Sequence, residues 1–435
     1  MAANESEAYL TGLALRTFLK LWSYPNPFRA PGKEIADLLV VFGDEVIVFS
    51  DKASIHGKGE PVLAWQRWYE RTVAESIKQL AGAIRPLTDP LASVYVDGRA
   101  TQAFPFTLPA PEKRRLHLIA VVHPDRNPKA QPQNWPGLSF DSAVLGAESP
   151  FRVGRLAAKS LPVHLFDGKT LEDLLQELDT VADFVGYLKR RQAAIESTAN
   201  LAFAEHDLLA LSLSNRDSRE WGPIPLPAPD VDGVVRIPSG LWDAYLSSKR
   251  TIHRKTADEQ SRVIDRLIEH FHEEYIEGRT EHQRPQTFDS HERALRLLAS
   301  ESRFGRRIIA AVFYEIFQET EQHTTWASTV PSRDVPGLRY VWFTYPASPP
   351  EARANYEQAL MHHLQARIFV ARSQFQADVI IGIGLPNRTV DTNLKMMAVF
   401  DGTGWTDEDQ KAAERLQVED WIFKELVPVH HHHVL

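Results

Sequence analysis

GKEIADLLVVFGDEVIVFSDKA, Gly32 to Ala53, holds two β-branched apolar runs, Asp37 to Phe42 and Val46 to Phe49, on either side of Gly43-Asp44. Two such runs around a Gly-Asp pair predict a β-hairpin. Antiparallel strands return to their starting edge, so Asp37, which opens the first strand, is brought beside Lys52, which closes the second. Upstream, Tyr9, Leu10, Leu13, Leu15, Phe18, Leu19 and Trp22 recur at helical spacing and predict an amphipathic helix over Ser6 to Trp22, stopped by Tyr24-Pro25-Asn26-Pro27. Downstream, Trp65 to Arg85 predicts a long helix ended by Pro86. The nearly continuous apolar run Leu116 to Val122 predicts a strand buried on both faces.

The rest of the chain extends this α/β pattern. Leu161 to Phe166 predicts a strand and Thr170 to Arg191 a helix, with Thr170 and Asp173 placed as a capping box. Helices are expected over Thr256 to Tyr275 and His291 to Thr320. A second alternation follows, with strands at Leu338 to Thr344, Ala377 to Gly384 and Met396 to Phe400 and a helix at Pro350 to Ala371. A chain of 435 residues exceeds what one core organises. The expected division is a first domain at 1–195, a connecting region at 196–255 that is proline-rich at 222–231, and a helical and α/β domain at 256–435.

Composition excludes several classes of function. A net charge of −8 argues against a protein that coats nucleic acid through a broad basic surface. With no cysteine there are no disulfides, thiolate zinc sites or cysteine nucleophiles, which fits a cytoplasmic protein. No apolar run approaches the roughly 20 residues that span a bilayer, and MAANESEAYL has none of the features of a secretory signal, so no membrane partner is expected. No P-loop, H-E-x-x-H or G-x-S-x-G motif occurs.

A carboxylate and an ammonium at an open sheet edge form either a surface pair worth less than about 1 kcal/mol or the core of a hydrolytic site. In the second case Asp37 holds a divalent cation and Lys52 stabilises the attacking water or the developing phosphorane charge. The order of elements resembles the PD-(D/E)xK nuclease superfamily with its αβββαβ core: a helix, an aspartate opening a hairpin, a lysine closing it, a long helix and a buried strand. The resemblance spans roughly residues 6 to 125 and extends toward 190. It implies hydrolysis of DNA or RNA with Mg²⁺ or Mn²⁺, Asp37 as the first acid and Glu34 as an additional one. By analogy it also implies a restriction or phage-defence effector of prokaryotes, with a C-terminal domain for a partner or substrate and a homodimer where both strands are cut. A non-catalytic nuclease-like scaffold is the alternative.

The superfamily's second acid lies two residues before the lysine, where this chain has Ser50. In a strand, Ser50 and Lys52 share a face and Asp51 takes the other. Three routes restore an acid: a bulge that re-aims Asp51, Ser50 acting through water, or a glutamate from the next helix. On that helix Glu75 and Gln79 share a flank, while Glu70 lies opposite. Glu75 is the preferred migrated acid, and Gln79 resembles the helix glutamine of the RecB-like branch, although Ala83 stands where that branch has a tyrosine. Arg67, Arg71 and Lys78 on the helix, Lys113-Arg114-Arg115, and Arg303, Arg306 and Arg307 are candidate phosphate contacts. Glu205-His206-Asp207 at an expected strand start points to a structural role. Ile381-Gly-Ile-Gly-Leu-Pro386 faintly matches a phosphate loop, and His430 to His433 at the terminus lacks the spacing of a structural zinc site.

Overall fold

The computed structural model describes residues 5–130, 132, 135–214, 221–278, 287–319, 325–346, 353–387, 395–420 and 422–423. The chain divides into two units, Met1–Ile252 and His253–Leu435, each a mixed α/β assembly. Residues 196–252 thus cluster with the first unit, and the expected connecting region supplies two strands and two helices to it. The His430 to His433 run lies outside the described residues.

In the first unit, helix α1 (Glu5–Phe18) buries Leu10, Leu13, Ala14 and Phe18. Strand β1 (Ser23–Pro25) follows, then β2 (Leu38–Phe42) and β3 (Glu45–Ala53). The β2–β3 pairing is antiparallel from Leu38 opposite Phe49 to Phe42 opposite Glu45, closed by Gly43-Asp44. Gly43 takes φ +56°, the left-handed region that a tight hairpin turn asks of its first central residue. All five β2 side chains are buried. Burying each such aliphatic group contributes about 1.5–3 kcal/mol, and this fixes the register, since a one-residue slip would turn the apolar set outward.

Helix α2 (Pro61–Tyr69) runs through a π turn (Glu70–Ala74) into α3 (Glu75–Thr88). The helix does not stop at Pro86: the Asp89 N–H still reaches the Arg85 carbonyl at 2.9 Å, and Pro86 sits in the last turn. Strand β4 (Arg115–His123) then pairs parallel to β3. The chain order from α1 to β4 is therefore helix, three strands, helix, strand, if the small pairing Phe28–Ala30 with Lys33–Glu34 is set aside. After β5 (Ser139–Asp141) and β6 (Leu156–Ala158), β7 (Leu161–Asp167) joins β4 in parallel. The six-stranded sheet runs β1-β2-β3-β4-β7-β6.

The helix expected over Thr170 to Arg191 is two helices, α4 (Gly168–Glu177) and α5 (Val181–Ser197). Their caps are Asp167, whose carboxylate accepts from the Thr170 N–H at 2.8 Å, and Thr180, which accepts from the Asp183 N–H at 3.1 Å. Thr170 therefore lies inside the first turn, not at its start. Strand β8 (Leu201–Ala204) pairs with β5 in a second sheet and leads into α6 (Glu205–Leu213).

The second unit contains α7 (Lys249–Ile276) from His253 on, α8 (Phe288–Ala299) and α9 (Arg303–Glu319). Strands β9 (Trp326–Pro331) and β10 (Leu338–Tyr345), helix α10 (Arg353–Phe375), strands β11 (Val379–Pro386) and β12 (Met396–Asp401), and helix α11 (Asp407–Glu419) complete it. The sheet order is β9-β10-β11-β12, with only β10 and β11 parallel. Gly382 and Gly384, read as a faint phosphate loop, lie inside β11. A Cβ at Gly382 would meet the Ile368 and Leu364 side chains of α10 at 2.5 and 2.9 Å, so that glycine serves close helix–sheet packing. Among the described residues no helix is long and apolar enough to cross a membrane.

Candidate active site

The hairpin brings Asp37 and Lys52 together as its geometry requires. Asp37 precedes β2, and its N–H donates to the Phe49 carbonyl at 3.1 Å, which extends the ladder by one residue. Its side chain, only 5% exposed, faces the same edge as Lys52, whose Nζ donates to Asp37 Oδ2 at 3.3 Å. The Asp51 backbone N–H donates to the same oxygen at 2.5 Å. From α3, Gln79 Nε2 donates to Asp37 Oδ1 at 2.9 Å, while Gln79 Oε1 accepts from Ser50 Oγ at 2.7 Å. Ser50, Gln79 and Asp37 form a continuous relay across the sheet edge.

This explains Ser50 locally. The Ser50 and Lys52 side chains alternate with Asp51 along β3. Ser50 is fully buried, and its hydroxyl fixes the orientation of the Gln79 amide, which in turn aims its NH₂ at Asp37. Asp51 points to the other face, buried, with Oδ1 2.9 Å from His123 Nε2 at the end of β4, a contact outside hydrogen-bond alignment. The β3 pairing with β4 runs without a bulge through Ser50 and Asp51, so the Asp51 carboxylate stays on the far side. Gly168 opens α4 against the His123 ring, leaving no space there for a Cβ.

Glu34 lies on the solvent side of Asp37. Burial first, then the Asp37 charge and then that of Glu7 on α1 push its carboxyl up, while Lys52 pulls it down. With the Asn26 amide turned so that its NH₂ faces inward, Nδ2 reaches Glu34 Oε1 at 2.9 Å and the Asp37 carbonyl at 3.0 Å. Two carboxylates thus repel each other beside one ammonium. Glu7 has no motif of its own; only the packing of α1 shows it.

The helix glutamate is placed differently. Ser76, Leu80 and Ala83 mark the buried line of α3. A four-residue step turns a helix by about 40°, so Glu75 lies one turn away from Gln79 and farther from that line. Its carboxylate is 55% exposed and pairs with Lys78 at 3.5 Å. Arg67 and Arg71 are exposed on the same helix. Arg114 is held by the Pro109 carbonyl at 2.5 Å, and Arg115 by Glu45 at 2.8 Å.

The three candidate arginines of the second unit, Arg303, Arg306 and Arg307, are interior. Arg303 and Arg306 are each 1% exposed and both bind Asp265, Arg303 at 2.8 Å. Arg306 Nε also donates to the Glu301 carbonyl at 3.1 Å, and Arg307 Nε lies 3.3 Å from Asp258. These guanidiniums knit α7 to α9. Glu205, His206 and Asp207 open α6, not a strand. Glu205 binds Arg191, His206 binds Asp173 at 2.9 Å, and Asp207 accepts from the Trp242 N–H at 3.0 Å.

No protein-family model, no curated protein and no solved structure matches this chain.

Proposed function

We propose that the Asp37–Lys52 edge is a metal-dependent phosphodiester-hydrolysing centre, a nuclease site acting on DNA or RNA in the cytoplasm. The observation that carries this reading is the convergence of a buried carboxylate, an ammonium 3.3 Å away and a helix glutamine at the open end of the hairpin, with Glu34 at its rim. The helix–three-strand–helix–strand order supports the PD-(D/E)xK resemblance on which the assignment rests.

The donor set fits a hard divalent cation. A carboxylate offers about four lone-pair directions, and Asp37 uses two on Oδ2, for Asp51 N–H and Lys52, and one on Oδ1, for Gln79. One direction on Oδ1 remains. Mg²⁺ is commonly held by one or two carboxylates with water and substrate phosphate filling the rest, so Asp37 and Glu34 are the residues that would hold it. A cation there offsets the burial and the Asp37 charge that together raise Glu34. When bound, such an ion supplies Lewis acidity and a more acidic water.

The protein's own groups divide the remaining work. Lys52, 30% exposed, stands where it can stabilise negative charge on non-bridging phosphate oxygens. Gln79, locked by Ser50, keeps Asp37 from rotating. Exposed Arg67 and Arg71 on the neighbouring helix supply phosphate contacts that position a strand without reading its sequence. By analogy alone, such a unit beside a second α/β unit suits a restriction or phage-defence effector.

A second reading, a nuclease-like scaffold without catalysis, is favoured by Ser50 at the acid position and by the three donors already on Asp37. Incubation with plasmid, single-stranded DNA and RNA in Mg²⁺ or Mn²⁺ separates the two. The hydrolytic reading expects cleavage that Asp37→Asn and Lys52→Met each remove, whereas absence of cleavage on every substrate supports the scaffold.

A further inference from the structure

The first unit contains an open-mouthed cavity of about 280 Å³, lined by β5, β6, β7 and α5, by Thr170 of α4 and by the first residue of α6. Its walls are largely apolar, with Leu138, Phe140, Leu156 and Phe166 among them. Arg191, 5% exposed, stands in the wall. Phe140, Phe166 and Phe203 surround its guanidinium at 6.0, 5.3 and 5.5 Å from their ring centres. Its Nε donates to both oxygens of Glu205 at 2.9 and 3.0 Å, and its Nη1 meets His164 Nδ1 at 3.1 Å. Burial, with Arg191 beside it, holds the His164 ring well below its ordinary range, so Nδ1 is the acceptor of that bond. Nη2 has no acceptor among the described residues. A guanidinium edge with an unused donor therefore stands in the cavity wall.

The other charged groups on the wall are already engaged. Arg155 Nη2 donates to the Ile195, Thr198 and Ala199 carbonyls at 3.0, 2.8 and 3.2 Å, neutralising the end of α5. The Asp167 carboxylate caps α4, and Glu196 accepts from Gln192 at 2.7 Å. The wall thus holds two cations against three carboxylates, with Arg191 already compensated by Glu205. An anion entering here would add uncompensated negative charge to a poorly solvated space. A cation would find no carboxylate without a donor of its own.

We propose that this cavity is a binding site for a small uncharged molecule, an aromatic amide or heterocycle, whose carbonyl oxygen or ring nitrogen accepts from Arg191 Nη2 while its ring packs on Phe140 and Phe166. The site is independent of the hydrolytic reading and has the character of small-ligand pockets, an apolar space with few convergent polar groups.

Benzamide, benzoate and benzamidinium share a shape and differ in charge, and so serve as probes against the full chain in methyl-resolved NMR. Benzamide is expected to shift the Leu156 and Ile195 methyls saturably, at least tenfold more tightly than either ion. Ser160→Trp, a change at the exposed mouth, is expected to remove that binding and leave the second unit's methyls in place. Arg191→Lys, which keeps the charge beside Glu205 but loses Nη2, is expected to weaken binding at least tenfold; should it fail to fold, Ser160→Trp decides. Absence of saturable shifts with benzamide, benzoate binding as tightly as benzamide, or full binding in Ser160→Trp would each overturn the proposal.

Discussion

Asp37→Asn and Asp37→Ala separate the structural from the chemical role of this carboxylate. In the alanine variant the Asp51 N–H, on a residue 3% exposed, loses its 2.5 Å acceptor. An unmet buried donor costs about 1–3 kcal/mol. Lys52 and Gln79 are partly open to water, so their lost bonds add less than about 1 kcal/mol each. The total is about 1–5 kcal/mol. In the asparagine variant the amide oxygen takes the Oδ2 position and keeps the Asp51 N–H and Lys52. Its NH₂ then faces Gln79, which turns its amide to accept, and Ser50 Oγ receives the Gln79 NH₂ in exchange. The relay is rebuilt with one hydroxyl proton displaced, at a cost of about 1 kcal/mol. Cleavage nonetheless falls by at least about 10²-fold, because an interaction with developing or cationic charge has been removed. Urea unfolding followed by tryptophan fluorescence, beside a plasmid-nicking assay in Mn²⁺, reads both quantities. Equal destabilisation by the two variants would refute the relay, and an asparagine variant that still cuts would refute the chemical role.

Lys52→Met should lower cleavage by at least about 10²-fold while shifting stability by less than about 1 kcal/mol, as the ammonium is 30% exposed; denaturation and cleavage rates check both. Ser50→Asp places a second acid beside Asp37, so the chain should melt lower without metal and recover on adding Mn²⁺, while an unchanged melting temperature in both conditions would show that Ser50 does not face the site. In the second unit, Glu301 is pushed up to about 7, by burial first and by Asp334, while it accepts from Tyr340 Oη at 2.9 Å. A carboxyl raised on folding binds its proton more tightly in the native state, so its stabilisation is full below the unfolded value near 4.5 and is lost as pH rises through about 7. Glu301→Gln should remove that pH dependence, about 3 kcal/mol in all, in urea unfolding measured from pH 4 to 8.

The hairpin was legible because its signal is local: apolar β-branched runs, a Gly-Asp turn and a strand alternation that puts Ser50 and Lys52 on one face. The same alternation gave Asp51 its correct direction. Gln79 could be read from helical phase, whereas Glu75 could not be placed that way. Sharing a flank with Gln79 did not tell how far that flank turned from the buried line. Glu7 was hidden because its proximity to Glu34 comes from the docking of α1. The arginines at 303, 306 and 307 looked available because their partners, Asp258 and Asp265, lie on another helix roughly forty to fifty positions earlier. The cavity beside Arg191 was equally invisible, being assembled from strands and helices that no local pattern links.

The central claim is that Asp37 and Glu34 together form a cation site next to Lys52. Anomalous diffraction from Mn²⁺-soaked crystals tests it most directly. A metal peak is expected in coordination contact with Asp37 Oδ1 and Glu34, absent from Asp37→Asn crystals soaked in parallel. A clean map with the Lys52, Asp51 N–H and Gln79 bonds to Asp37 unchanged would contradict it, and would leave the hairpin as a scaffold.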